Sequence, residues 1–421
     1  MSLTDALTRL IRVYRRDGLR DGTRKLLSFA KAKLLDRSPL CLLRVSSGDR
    51  RELRRMLGGS FDRVIVWRSG FGFQVPLYQR PQQMARQLAR LDCLVVYEAG
   101  RCPDGVEKFR RQEENLLLFN FANPALRRLL LREIDRLNKP KYLQIYSTNY
   151  EMPLSELERW IRRGYGLIYE YVDHLSPEIS GTRELPAAIR DKFRYAMTHP
   201  EAYVVVTAEL LKRDVLARRG GKRLIESSNG VDLSFFRRWE DYSFEPAFRA
   251  ILSRGKPIVC YYGALACWLD YDLLREIASC GAYSLVLIGV KYDASFDASA
   301  PRGENVFYLG PKDYRVLKYY AREADVLILP FLINELTRST NPVKLFEYMA
   351  LRRPIVSTDV DECRRYPGVL IGKDRAAFVK QLERALTLRG DESYLSLLDK
   401  GAAENDWKNK AQALIDGLRR E

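Results

Sequence analysis

"RSTNPVKLFEYMALRRPIVST", residues 338–358, places a turn, a short helix and a buried strand end to end. Pro342 can occupy a first helical turn without losing a needed hydrogen bond, and Asn341 before it reads as the cap. Val343, Phe346 and Ala350 fall on one stripe suited to a sheet, while Lys344 and Glu347, three apart, share a neighbouring stripe. The first amides of the helix, at the positive end of its dipole, form a docking point for a phosphate group. Lys344 would then meet a diphosphate, and Glu347, one turn deeper, would accept hydrogen bonds from a ribose. Taken alone, the same pair also fits a solvated surface contact worth a few tenths of a kcal/mol. "RPIVST" follows as a central strand.

The rest of the chain repeats that unit. From about residue 62 apolar runs alternate with helical sequence: "RVIVWRS", "CLVVYEAG", "KYLQIYSTNY", "YGLIYEYVDH" and "AYVVVTAELL". A turn signal at Asn229-Gly230 and the polar "RRWEDYSFEP" interrupt the series. It resumes with "KPIVCYYGAL", "YSLVLIGV", "NVFYLG", "DVLILPF" and "RPIVST". Strand-helix alternation of this kind predicts parallel sheets with helices on both faces. The expected class is α/β, with two Rossmann-like doubly wound domains facing a cleft, and ligands outside the carboxyl ends of the strands. The expected division is a basic helical extension over 1–60, a first domain over 61–240, a second over 241–400, and a closing helix over 401–421.

The 421 residues suit two cores, and 46% apolar with 30% charged residues is a globular balance. Lysine and arginine exceed the acids by 71 to 54, a net +17 that favours anionic partners. Residues 1–60 hold fifteen basic and six acidic side chains, about half of that excess. Within them Leu3, Leu7, Leu10, Ile11 and Tyr14, then Leu26, Leu27, Ala30 and Leu34, recur at helical spacing beneath arginines and lysines. Such a basic amphipathic segment over 1–35 suits an anionic membrane surface, or packs on the first domain with its charges solvated. Nucleic acid is not expected, since no recognisable module or aromatic-basic interleaving accompanies the charge. Seven scattered cysteines and two histidines argue against a zinc site and for a reducing compartment. No signal peptide or membrane-length apolar run is found, so the expected location is cytoplasmic, peripheral on the inner face of the plasma membrane if 1–35 binds lipid.

With "DVLILPF" and "TRSTNPVKLFEYMALRRPIVST", the sequence resembles the nucleotide-sugar site of GT-B glycosyltransferases related to glycosyltransferase family 4. "QRPQQMARQLA", "IYEYVDH", "SSNGVD", "YYGALACWLDYDLL", "NVFYLG" and "DWKNKAQALIDGL" are similar to further segments of that group, in the same order across roughly 60–420. The resemblance implies a metal-independent transferase of hexosyl type. A nucleotide-diphosphate sugar would be co-substrate, a glycan or lipid-linked glycan the acceptor, and no cofactor is implied. Glu347 would hold the donor ribose. Lys344, with the amides near Thr340 and Asn341, would hold the diphosphate; Gly263 would admit its backbone approach, and Gly310 would line the base pocket. Gly263 and Gly310 also read as plain turn glycines.

Two departures stand out. Retaining members carry a glutamate eight positions before the ribose-binding one, where this chain has Ser339, its nearest earlier glutamate being Glu335. They also carry an Arg and a Lys where this chain has "ALACWLDYD"; Arg338 or Lys312 could supply that charge, and an ordinary solvated side chain is the competing reading of each. The stereochemical outcome stays open.

An inverting enzyme needs a base beside the acceptor hydroxyl. Asp173 or His174, ending the strand "LIYEYVDH", is the candidate, and a helix cap is the competing reading of Asp173. Tyr78, Arg80 and Gln82, at the start of the helix after the first strand, are acceptor-side candidates, Arg80 for a phosphate, with packing of the first helical turn as the competing reading. "GFGF", residues 70–73, lacks the third glycine of a dinucleotide fingerprint and reads as a loop. A non-catalytic sugar-nucleotide or glycan-binding subunit on the same fold is the alternative function.

Overall fold

The computed structural model describes residues 45–75, 78–101, 103–175 and 184–419. The membrane-binding expectation for residues 1–35 lies outside them. Among the described residues, no helix is long and apolar enough to cross a membrane. Contacts divide the described residues into two compact units, one of residues 45–228 together with 407–419, the other Asn229–Asp406.

The first unit is built on eight strands: β1 Arg63–Arg68, β2 Cys93–Glu98, β3 Phe109–Glu113, β4 Leu116–Phe119, β5 Lys141–Tyr146, β6 Gly166–Tyr171, β7 Tyr203–Val206 and β8 Leu224–Glu226. Their order is β3-β4-β2-β1-β5-β6-β7-β8. All pairings are parallel except β3–β4. That hairpin departs from the purely parallel expectation, and its cause is local: Asn115 turns the chain at a positive φ of 57°. The polar, half-buried "FRRQE" strand then caps the sheet edge. The core strands are unbroken apolar runs because helices cover both faces; all six residues of β1 are buried. The helix Trp407–Arg419 returns to this unit, where a side chain on Gly417 would collide with Ile225.

The second unit has six parallel strands: β9 Ile258–Tyr262, β10 Ser284–Ile288, β11 Val306–Tyr308, β12 Val326–Leu329, β13 Ile355–Thr358 and β14 Val369–Gly372. They run in the order β11-β10-β9-β12-β13-β14. The order reverses between β9 and β12, which opens a crevice at their carboxyl ends. The helix Val343–Ala350 lies between β12 and β13 in sequence. Leu345 through Ala350 are all buried, so this is an interior helix rather than one with a single apolar stripe.

Its start corrects the sequence reading. Pro342 itself is the residue before the first turn, and no side chain caps the helix. Asn341 is drawn off elsewhere: Oδ1 accepts from the Asn229 amide at 2.9 Å, and Nδ2 donates to Glu362 Oε2 at 3.1 Å.

Candidate functional site

In the second unit the expected donor residues gather at the carboxyl ends of the strands. Glu347, 1% exposed, accepts at Oε2 from the Tyr262 hydroxyl (2.9 Å) and from Lys344 Nζ (3.1 Å). The Lys344 ammonium also lies 5.2 Å from the centre of the Tyr262 ring. This is therefore a buried, doubly held carboxylate, not the solvated surface pair that spacing alone allows. Tyr262 was not singled out from sequence; ending β9 just before Gly263 was the available signal. Its position is fixed in turn by Tyr348, whose ring centre is 4.9 Å away and whose hydroxyl accepts from the Tyr262 amide at 3.3 Å. Burial first, then the charge of Glu347, pushes the Tyr262 hydroxyl well above its usual range, so it stays a donor.

Beside this group runs a strip of bare backbone. Gly263 donates to the Ile288 carbonyl at 2.9 Å, and Gly289 to the Gly310 carbonyl at 3.0 Å, extending the sheet past β9, β10 and β11. Gly263 and Gly289 hold φ of 153° and 150°. A Cβ on Gly289 would sit 1.7 Å from the Gly263 carbonyl oxygen, and one on Gly263 would meet the Tyr261 hydroxyl at 2.7 Å. Gly310, φ 68°, has open space around it. Gly289 was missed in the sequence, although "LIGV" places it just after a strand. Such a surface lets a ligand approach main chain directly.

The remaining donor candidates divide. Asn341 joins Asn229 of "SSNGVD" to the helix start through a second bond, Asn229 Nδ2 to the Asn341 carbonyl at 2.6 Å. Ser339, 3% exposed, donates its hydroxyl to the carbonyls of Glu335 and Leu336, and Thr340 donates to Leu336 at 2.8 Å. Their side chains thus close the turn after the short helix Glu335–Arg338. Arg338 is exposed on that helix. Lys312 is spent on Glu245 at 2.7 Å. In "ALACWLDYD", Asp270 and Asp272 both meet Arg375, at 3.1 and 2.8 Å.

In the first unit Arg80 is buried and fully engaged. Nε reaches Glu170 on β6 at 3.0 Å, while Nη1 and Nη2 reach the Ser228 carbonyl and the Ser227 hydroxyl. Gln82 forms a capping box with Gln79 and donates to the Gly72 carbonyl at 2.7 Å. Both side chains therefore hold the fold together. Tyr78 is half-buried, its hydroxyl accepting from Arg86 at 3.1 Å. Asp173 and His174 follow β6 and are partly exposed. Asp173 caps no described helix, and burial raises its carboxyl to about 6. An acid poised there could take a proton from a hydroxyl near neutral pH.

Residues 256–387 match the family model described as glycosyl transferases group 1. TuaH of Bacillus subtilis (strain 168), named as a glycosyltransferase of teichuronic acid biosynthesis, is 24% identical over 273 residues, 60% of this chain and 66% of the relative. The chain thus spans just under two thirds of that relative's length. The fold is similar to that of the α,α-trehalose 6-phosphate synthase of Burkholderia multivorans, with TM-score 0.61, 13% identity, and coverage of 86% of this chain and 98% of that one. Anabaena HepE in complex with UDP gives TM-score 0.58 and 13% identity, covering 86% of this chain and all of the other.

Proposed function

From a chain of GT-B fold whose residues 256–387 match the family model of the group 1 glycosyltransferases, we propose that the protein transfers a sugar from a nucleotide-diphosphate-sugar donor to a hydroxyl of a glycan or lipid-linked glycan. The observation that carries this is the Glu347 carboxylate, held by Tyr262 and Lys344 beside the Gly263–Gly289–Gly310 strip. With Oε2 already accepting two hydrogen bonds, Oε1 is left to receive the paired hydroxyls of a ribose. Lys344 and the amides of the uncapped helix start oppose the charge of the diphosphate, which grows as the glycosidic bond breaks. No step requires a metal, and a hexosyl donor is the proposed type. Asp173 is the proposed base, with His174 beside it.

The name of the Bacillus relative supports a place in bacterial-type surface polysaccharide assembly, and HepE with UDP supports a nucleotide donor. We place the reaction in the cytoplasm, against the inner membrane face if residues 1–35 bind anionic lipid. Release of nucleotide from the donor that survives a chelator and disappears in Glu347→Ala is the expected result. Turnover dependent on added metal, or indifferent to Glu347→Ala, would refute the reading.

A second reading, a non-catalytic donor-binding subunit, draws on Ser339. It stands eight residues before Glu347 and is buried with its hydroxyl engaged, so that position offers no carboxylate to the donor. Donor binding without turnover across a broad acceptor panel would favour it.

A further inference from the structure

At the amino ends of β12 and β13 in the second unit lies a cavity of about 470 Å³ whose lining includes Arg237, Trp239, Arg322, Arg353, Arg389 and Asp399. Arg322 and Arg353 precede β12 and β13, whereas Gly263, Gly289 and Gly310 follow strands of the same parallel sheet, so the two places face away from each other. We propose that this cavity binds a phosphate-bearing anion.

The charge balance favours it. Arg237 pairs with Asp399, Arg352 with Glu392 and Asp399, and Arg389 with Asp325. Arg322 and Arg353 have no carboxylate at ion-pair distance among the described residues. Glu323 and Asp325 act on Arg353 only through space. Arg353 uses Nε on the Arg322 carbonyl at 2.7 Å, which leaves its terminal nitrogens for a ligand. The Arg322 guanidinium stacks 4.4 Å from the Trp239 ring centre, so its fork is held at the cavity wall. Burial and the neighbouring Arg389 hold the Arg353 guanidinium below its usual value, a strain that a bound anion relieves. Two neighbouring guanidinium planes match phosphate oxygens, which accept parallel hydrogen bonds from such forks. The cavity could take a soluble anion or a lipid phosphate headgroup, since both present the same oxygens.

The probe is inorganic pyrophosphate, titrated at constant ionic strength while tryptophan fluorescence is followed, with Trp239→Phe identifying the responding ring. A saturable change is expected. It should persist in Lys344→Ala, whose substitution lies at the donor site, and weaken about tenfold or more in Arg322→Ala/Arg353→Ala, as the loss of charge-assisted bonds implies. Competition by phosphatidylglycerol vesicles for the Trp239 signal would name a lipid headgroup as the source; its absence would name a soluble anion. A response that fails to saturate, or that ignores the double substitution, overturns the proposal. Should the double variant fail to fold, Arg322→Gln at an exposed position carries the same test.

Discussion

Tyr262 donates its hydroxyl to Glu347 Oε2 at 2.9 Å, joining the last residue of β9 to the interior helix between β12 and β13. The bond ties the carboxylate to the end of the same strand that leads into Gly263. In Tyr262→Phe the ring is kept and the donor lost, so Lys344 alone orients Glu347. A hydrogen bond to a charged group contributes about 1.5–3 kcal/mol, so donor affinity should fall roughly tenfold or more. The increase should appear in donor KM, with kcat changed less, because the chemistry lies at the sugar and not at the ribose. An unchanged KM would mean that Glu347 does not hold the donor.

The glycine strip makes a sharper demand on stability. Gly289→Ala would place a methyl 1.7 Å from the Gly263 carbonyl oxygen, at a φ of 150°. Backbone cannot yield there without breaking the bond from Gly289 to Gly310, so unfolding stability should drop by about 3 kcal/mol or more. Gly310→Ala, at φ 68° with open space around it, should cost only about 1–2 kcal/mol for its left-handed backbone. Denaturant melts of the two variants would test the ranking, and equal losses would refute it.

Asp173 gives a pH prediction with two readouts. Its carboxyl is raised from 3.8 to about 6 by burial, so the fold favours the neutral form. Stability from this group is complete below about 3.8 and is lost as pH rises through about 6. Asp173→Asn should therefore be more stable than the natural protein at pH 8, by about 1–3 kcal/mol, with the difference vanishing near pH 4. If the carboxylate is the base, kcat/KM of the natural protein should rise through pH 6, and the variant should lose that limb along with most of its activity. Stabilisation without loss of turnover would leave Asp173 outside the chemistry.

How far the sequence could be read depends on how far apart the partners lie. Lys344 and Glu347 are three residues apart, and the apolar runs that became ten of the fourteen strands carry their burial in their own composition. The β3–β4 hairpin, β8 and β14 were not read, being short or polar. Asn341 looked like a cap because capping is local, yet its side chain is claimed by Asn229, 112 positions away. The amides near Thr340 were expected at the diphosphate, and the hydroxyls of Ser339 and Thr340 close a turn with carbonyls three and four residues back. Nothing in the spacing reports that competition. Gly289 mattered only once its neighbour across the sheet was known.

Arg80 shows the same distance effect and yields the last prediction. At the start of a helix it read as a phosphate ligand, but Glu170, ninety positions on and wholly buried in β6, takes it at 3.0 Å. Removing one member of a buried pair strands the other charge, at about 3–5 kcal/mol. Arg80→Ala should lower the melting temperature strongly without a selective rise in acceptor KM. Burial already pushes the Glu170 carboxyl upward, so without the arginine it would fold neutral. The destabilisation should therefore be worst at high pH and ease as the pH falls. Adding Glu170→Gln to Arg80→Ala should recover part of the loss, since an amide costs less to bury than a carboxylate. If Arg80→Ala instead melts normally and fails only toward acceptor, the arginine contacts the acceptor after all.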